Sequence, residues 1–189
     1  MSKPNVLFVG DACVPSGFAA CTHAACDALH ADGWEVNVLG MGYNGDPHTY
    51  SYKIWPTRSI VERTYDYFGL DRLPNLVATI KPDVVVILND PWNVWGYAAA
   101  LKRADLLDKV KLVGWLAVDS RNHRWYEQKQ VEAPDDELGC VTESFNTLNY
   151  LDHMLVWTEF GLETMIESGY EGTYGIVPLG VDTSIFYPR

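Results

Sequence analysis

The 189-residue chain carries 14 Lys and Arg against 25 Asp and Glu, a formal charge of −11. Such a surface offers no electrostatic footprint for a nucleic-acid backbone and disfavours docking on anionic lipid. With 48% hydrophobic and 21% charged residues the composition is that of a globular α/β domain with a sizeable core, and no apolar run approaches the ~18 residues of a membrane span.

From the amino end, Met1-Ser2-Lys3-Pro4-Asn5 leads straight into the apolar run Val6-Leu7-Phe8-Val9-Gly10, with no signal-peptide architecture. That run reads as a parallel strand buried on both faces. Residues 18–31 are rich in Ala and Cys and stop at Asp32-Gly33, a helix that can approach a sheet closely. Residues 34–39 alternate as a second strand, 42–47 form a loop, and 50–55 read as a third strand. Residues 60–68 and 73–80 read as helical pieces broken near Gly69 and Pro74.

Val84-Val85-Val86-Ile87-Leu88 is the strongest strand signal in the chain. A helix over 95–107 and a strand over 111–118 follow. Residues 119–137 are polar, aromatic and long for an idle connection. A short helix over 141–150 and a strand over 154–157 come next, then a helix over 159–168 between Thr158 and Gly169, and a last strand over 173–177. This alternation predicts a doubly wound, mostly parallel Rossmann-like sheet of about seven strands with helices on both faces.

Ligands of such sheets bind beyond the carboxyl ends of the strands. The first strand-end loop runs Gly10-Asp11-Ala12-Cys13-Val14-Pro15-Ser16-Gly17-Phe18. Ser16 is a natural helix N-cap, and Gly17 lets a backbone N–H approach an anion; the pair either faces a phosphate or merely starts a helix. A P-loop needs Lys after its last Gly, and this loop has Phe18. A dinucleotide fingerprint fails too, because Gly10 and Gly17 lack its spacing and the second strand closes on Leu39-Gly40-Met41 without an acid.

Two further strands end in Asn89-Asp90-Pro91-Trp92 and Val118-Asp119-Ser120-Arg121. Their carboxylates, with Asp11, suit sugar hydroxyls or local caps. Beyond them, Arg121 and Arg124 could hold an acidic acceptor or a phosphate, His123 could carry a proton and Trp125 could stack on a sugar, with solvated charge and surface decoration as the plain alternatives. Cys21-x-His23-x-x-Cys26 resembles a metal motif, but a helix splays those side chains apart, so reduced, buried thiols are the expectation. With four Cys and no CxxC, the chain reads as cytoplasmic.

The end of the chain, Pro178-Leu179-Gly180-Val181-Asp182-Thr183-Ser184-Ile185-Phe186-Tyr187-Pro188-Arg189, closely resembles the segment that joins the two domains of retaining GT-B glycosyltransferases, the family of sucrose synthases and bacterial mannosyltransferases. Pro15-Ser16-Gly17 resembles that family's loop facing the donor diphosphate, with one Gly where a pair is common. Trp115-Leu116-Ala117-Val118-Asp119 falls where many members carry a catalytic-site His, and Met154–Phe160 is similar to a strand leading into a Thr-capped helix. The resemblance implies an amino-terminal, acceptor-side domain over residues 1–178 and the start of a linker over 179–189, the donor-binding domain lying outside this chain. It also implies hexosyl transfer with retention from a nucleotide-diphosphate sugar to an unknown acceptor, without a bound cofactor or metal. In these terms Asp119 is the catalytic candidate, Ser16 and Gly17 face the diphosphate, and Asp11, Asp90, Arg121, His123 and Trp125 shape the acceptor site. A partner chain supplying the missing half, a non-catalytic module for a nucleotide sugar, glycan or protein, and half of a DNA-modifying sugar transferase are the other readings.

Overall fold

The computed structural model describes residues 3–57, 66–121, 145–181 and 183. Among them, seven strands form one all-parallel sheet in the order β3-β2-β1-β4-β5-β6-β7. The strands are β1 (Asn5–Asp11), β2 (Glu35–Met41), β3 (Lys53–Pro56), β4 (Val84–Asn89), β5 (Lys111–Leu116), β6 (His153–Val156) and β7 (Tyr174–Ile176). The helices are α1 (Gly17–Ala31), α2 (Arg72–Ile80), α3 (Pro91–Arg103) and α4 (Glu159–Glu167). The doubly wound architecture expected from the sequence is the one found.

Period-two geometry sends alternate β1 side chains to opposite layers. Val6 and Phe8 pack with Cys26, Val36, Val38 and Ile54 on the α1 side. Leu7 and Val9 join Leu73, Val85, Ile87 and Tyr97 on the α2–α3 side. β2 differs from its expected alternation: every residue from Val36 to Met41 is buried, because β1 and β3 flank it and both faces are covered. The polar Asn37 is accommodated there by accepting from the Trp55 indole (3.0 Å) and donating to Asn5 (3.4 Å).

The helix signals act locally as chemistry dictates. The Ser16 hydroxyl accepts from Ala19 N–H (3.0 Å) to open α1, and Gly33, at φ +91°, follows its end. Thr158 likewise accepts from Gly161 N–H (3.0 Å) at α4, which Gly169 (φ +91°) follows.

Several boundaries depart from expectation. Pro74 lies inside the first turn of α2, where its missing N–H would have had no helical acceptor anyway. α3 begins at Pro91, four residues before the expected start, because proline suits the first helical position, and it stops at Arg103. β3 is confined to Lys53–Pro56, since Tyr50 and Tyr52 pack against His23 and do not extend the ladder. The predicted helix over 60–68 falls mostly outside the described residues, and its described part, 66–68, is not helical. Of the helix expected over 141–150, Phe145–Tyr150 forms a 3-10 turn.

Candidate functional site

The chain runs outward from β1 through β2 to β3, then returns to place β4 on the other side of β1. That reversal falls between β1 and β4, and at such a point open α/β sheets hold their ligand crevice, beyond the carboxyl ends of the strands. The point is flanked by the loop after Asp11 on one side and by Asn89-Asp90 on the other.

On the β1 side, the Ser16 hydroxyl donates to the Asp11 carboxylate (2.7 Å) while accepting from Ala19 N–H, and Ser16 N–H donates to Val14 C=O (2.8 Å). Both Ser16 donors are therefore spent on shaping the loop. The N–H groups of Gly17 and Phe18 have no acceptor among the described residues and sit at the positive end of the α1 dipole. A Cβ built on Gly17 would meet nothing within 4 Å, so nothing in the described structure demands glycine there. Space and two free donors suit an anion approaching the backbone. Sequence reasoning named Ser16 and Gly17 but missed Phe18, whose contribution is a main-chain group that side-chain motifs do not report.

On the β4 side, Asp90 occupies the N-cap position of α3 without a side-chain capping bond. Asn89 does that work, its Oδ1 accepting from Asp90 N–H (2.8 Å) and from Asn93 Nδ2 (2.7 Å). The Asp90 carboxylate, free of hydrogen bonds to the described residues, has its pKa raised by burial and then by the nearby Asp119 charge. Asp119 lies three residues past the end of β5, beyond Ala117, whose N–H still reaches Asn89 C=O (3.2 Å). The fold thus brings Asp90 and Asp119 together at one edge.

Arg121 goes elsewhere. Its guanidinium lies 3.7 Å from Glu163 and 3.6 Å from Glu167, and it stands over the Phe160 ring, tying the segment after β5 to α4. His123, Arg124 and Trp125 lie outside the described residues, as do Cys140, Asp182 and residues 184–189 of the tail.

A cleft of about 540 Å3 opens beside the first loop, between residues 12–16, the first turns of α1 and the 43–50 loop. Its walls carry His23, Tyr43, His48 and Tyr50. His23 Nε2 lies 2.7 Å from Ala12 C=O, which can only accept, so this nitrogen carries the proton; Nδ1 is 2.7 Å from the Tyr52 hydroxyl. His23 is therefore a structural bridge, and burial pushes the neighbouring Cys26 thiol up to about 12. Sequence reasoning treated 42–47 as a plain loop, because nothing local reports that Tyr43, with His48 and Tyr50 just beyond, lines a cleft beside α1. Another cleft, of about 670 Å3, is lined by residues of the 81–83 and 107–111 segments at the opposite, amino edge of the sheet.

Comparison with solved structures matches this fold. The chain aligns over 96% of its length, with a TM-score of 0.55 and 10% identity, with 50% of an Escherichia coli structure described as trehalose-6-phosphate bound with UDP-2-fluoro glucose. The chain has the Rossmann-like fold of a GT-B domain. A UDP-GlcNAc 2-epimerase from Methanocaldococcus jannaschii matches over 94% of the chain and 45% of its own, with a TM-score of 0.49 and 15% identity. At such identities the likeness concerns fold alone. The chain spans about half the length of these structures. No family model matches it, and no curated protein does.

Proposed function

We propose that this GT-B domain is the acceptor-side half of a glycosyltransferase that moves a hexosyl group from a nucleotide sugar to an acceptor hydroxyl with retention. The observation that carries the reading is the strand-order reversal, which sets the open α1 N-terminus after β1 and the Asp90–Asp119 pair after β4 and β5 at the same carboxyl edge of neighbouring strands. In the reaction the bond from the anomeric carbon to the diphosphate breaks, a bond to the acceptor oxygen forms, and the acceptor proton passes to the departing phosphate. Gly17 and Phe18 N–H would donate to the diphosphate and stabilise its growing charge. Asp119 would accept a hydrogen bond from the reacting sugar or the acceptor hydroxyl, with Asp90 beside it. Asp11 holds Ser16, and through it the loop, in place. Among the described residues named at this edge none is a Lys or Arg aimed at a diphosphate, and the reading assigns that role to a donor-binding second domain, in this polypeptide or another.

The test is a titration of the chain with UDP-, GDP- and ADP-hexoses followed by amide NMR. Shifts centred on Gly17 and Phe18 support the reading; binding that leaves both amides unmoved, or no binding at millimolar ligand, overturns it.

A further inference from the structure

Resting on the glycosyl-transfer reading, we infer that the cleft beside Ser16 receives an uncharged saccharide acceptor stacked on Tyr50, and that it rejects phosphorylated or carboxylated acceptors.

Among the described residues, those lining the cleft include no Lys or Arg, and their one carboxylate is Asp46. A second carboxylate, Asp11, stands behind Ser16. An anionic acceptor would surrender its hydration on entry and meet no Lys or Arg among the described lining residues, against the repulsion of two acids, while the open α1 N-terminus beside the cleft is taken by the donor diphosphate in the proposed reaction. Among the lining imidazoles, His23 has both nitrogens committed to Ala12 and Tyr52 and none to offer a ligand.

The walls are instead aromatic and held in place before any ligand arrives. The His23 and Tyr50 rings stack at 3.7 Å between centroids and 9° between planes. Tyr50 keeps 39% of its surface exposed on the cleft wall. Tyr43 is buried, and its hydroxyl donates to Asp46 C=O, closing the loop on itself. His48 packs between Tyr43 (6.1 Å) and Tyr50 (5.8 Å). A ring face is electron-rich, so it attracts the weakly positive C–H face of a pyranose, while the hydroxyl rim finds acceptors in Asp46 and in the Asp11–Ser16 loop. A preformed wall spares the ordering cost that a mobile loop would pay. The volume, about 540 Å3, lies in the range of small-molecule sites, about 300–1,000 Å3. The cleft also adjoins the α1 N-terminus, so a hydroxyl of its occupant would lie near the proposed donor phosphate.

Saturation-transfer NMR on the chain tests this with methyl hexopyranosides and neutral disaccharides against the matching hexose 6-phosphates. Neutral sugars should receive saturation and the phosphates should not; Tyr50→Ala should abolish the transfer and Tyr50→Phe should keep it. Equal or stronger transfer to the phosphates overturns the inference, as does transfer that survives Tyr50→Ala in folded protein, or no transfer to any neutral sugar. The nucleotide-sugar shifts at Gly17 and Phe18 are read independently. Their persistence without sugar transfer sinks this inference alone, and sugar transfer without those shifts sinks the donor reading.

Discussion

Asp90 and Asp152 show how the same side chain acquires opposite behaviour from its surroundings. Burial, then the Asp119 charge, raises the Asp90 pKa. A raised carboxyl binds its proton more readily in the folded state, so its destabilising effect is absent at low pH and grows as pH climbs from the ordinary aspartate range through the raised folded value. Asp119→Asn should therefore return the Asp90 titration, followed by carboxyl 13C shifts, toward ordinary aspartate, and should raise stability at neutral pH. An unmoved Asp90 titration would separate the two groups. At Asp152 burial pulls upward, yet the Lys111 ammonium (2.7 Å) and Leu112 N–H (2.9 Å) prevail and hold the pKa low. Its contribution is present at neutral pH and fades as pH falls through the lowered value. Ser16 works through geometry. Ser16→Ala removes the α1 cap and the tether to Asp11, and should cost about 1 kcal/mol in urea unfolding. It should also weaken nucleotide-sugar binding by loosening the loop that sets Gly17 and Phe18.

Among the elements, the approach of β2 to its surroundings controls the cleft. A Cβ on Gly40 would stand 2.9 Å from Ile54 Cγ2, 3.1 Å from Tyr43 Cβ and 3.2 Å from Ala12 Cβ. Two of those neighbours, Tyr43 and Ala12, line the cleft. Gly40→Ala should thus cost about 1–3 kcal/mol through overpacking and displace the aromatic wall, measurable as a lower thermal midpoint and shifted Tyr43 resonances. An unchanged midpoint would mean that the 43–50 loop yields freely. At the edges of the sheet the described strands are short: β3 has four residues, including Lys53 and Pro56, and β7 has three. Short edges with Lys and Pro give little template for pairing with another chain.

For the molecule as a whole, the proposal divides labour between two domains. This chain offers two backbone donors and a carboxylate pair, and electrostatic stabilisation of a leaving diphosphate ordinarily needs more. The 189-residue chain alone should release no nucleotide diphosphate above background when mixed with nucleotide sugars and neutral saccharides. Release at rates typical of enzymes would place the whole catalytic apparatus in this chain. The same −11 charge predicts no measurable binding to duplex DNA at low salt, where electrostatic attraction would be strongest.

Element type and order were legible because they rest on local chemistry: Val84–Leu88 is apolar without a break, and Ser16, Gly33, Thr158 and Gly169 mark helix ends by their own backbone and hydroxyl preferences. Boundaries slipped where position outweighed preference, as at Pro74 within a first turn and in the short edge strand β3. The acids at the end of β1 and after β4 and β5 were identifiable as strand-end residues, but their partners were not. Local pattern carries no record of which loops a crossover places side by side. Only the tertiary structure set Asp90 against Asp119, committed Arg121 to α4, left the Gly17 and Phe18 donors open, and turned the 43–50 loop into an aromatic wall facing α1. The sequence by itself determined a doubly wound acidic domain with polar loops at its carboxyl edge; the reversal of strand order between β3 and β4 decided which of those loops lie side by side.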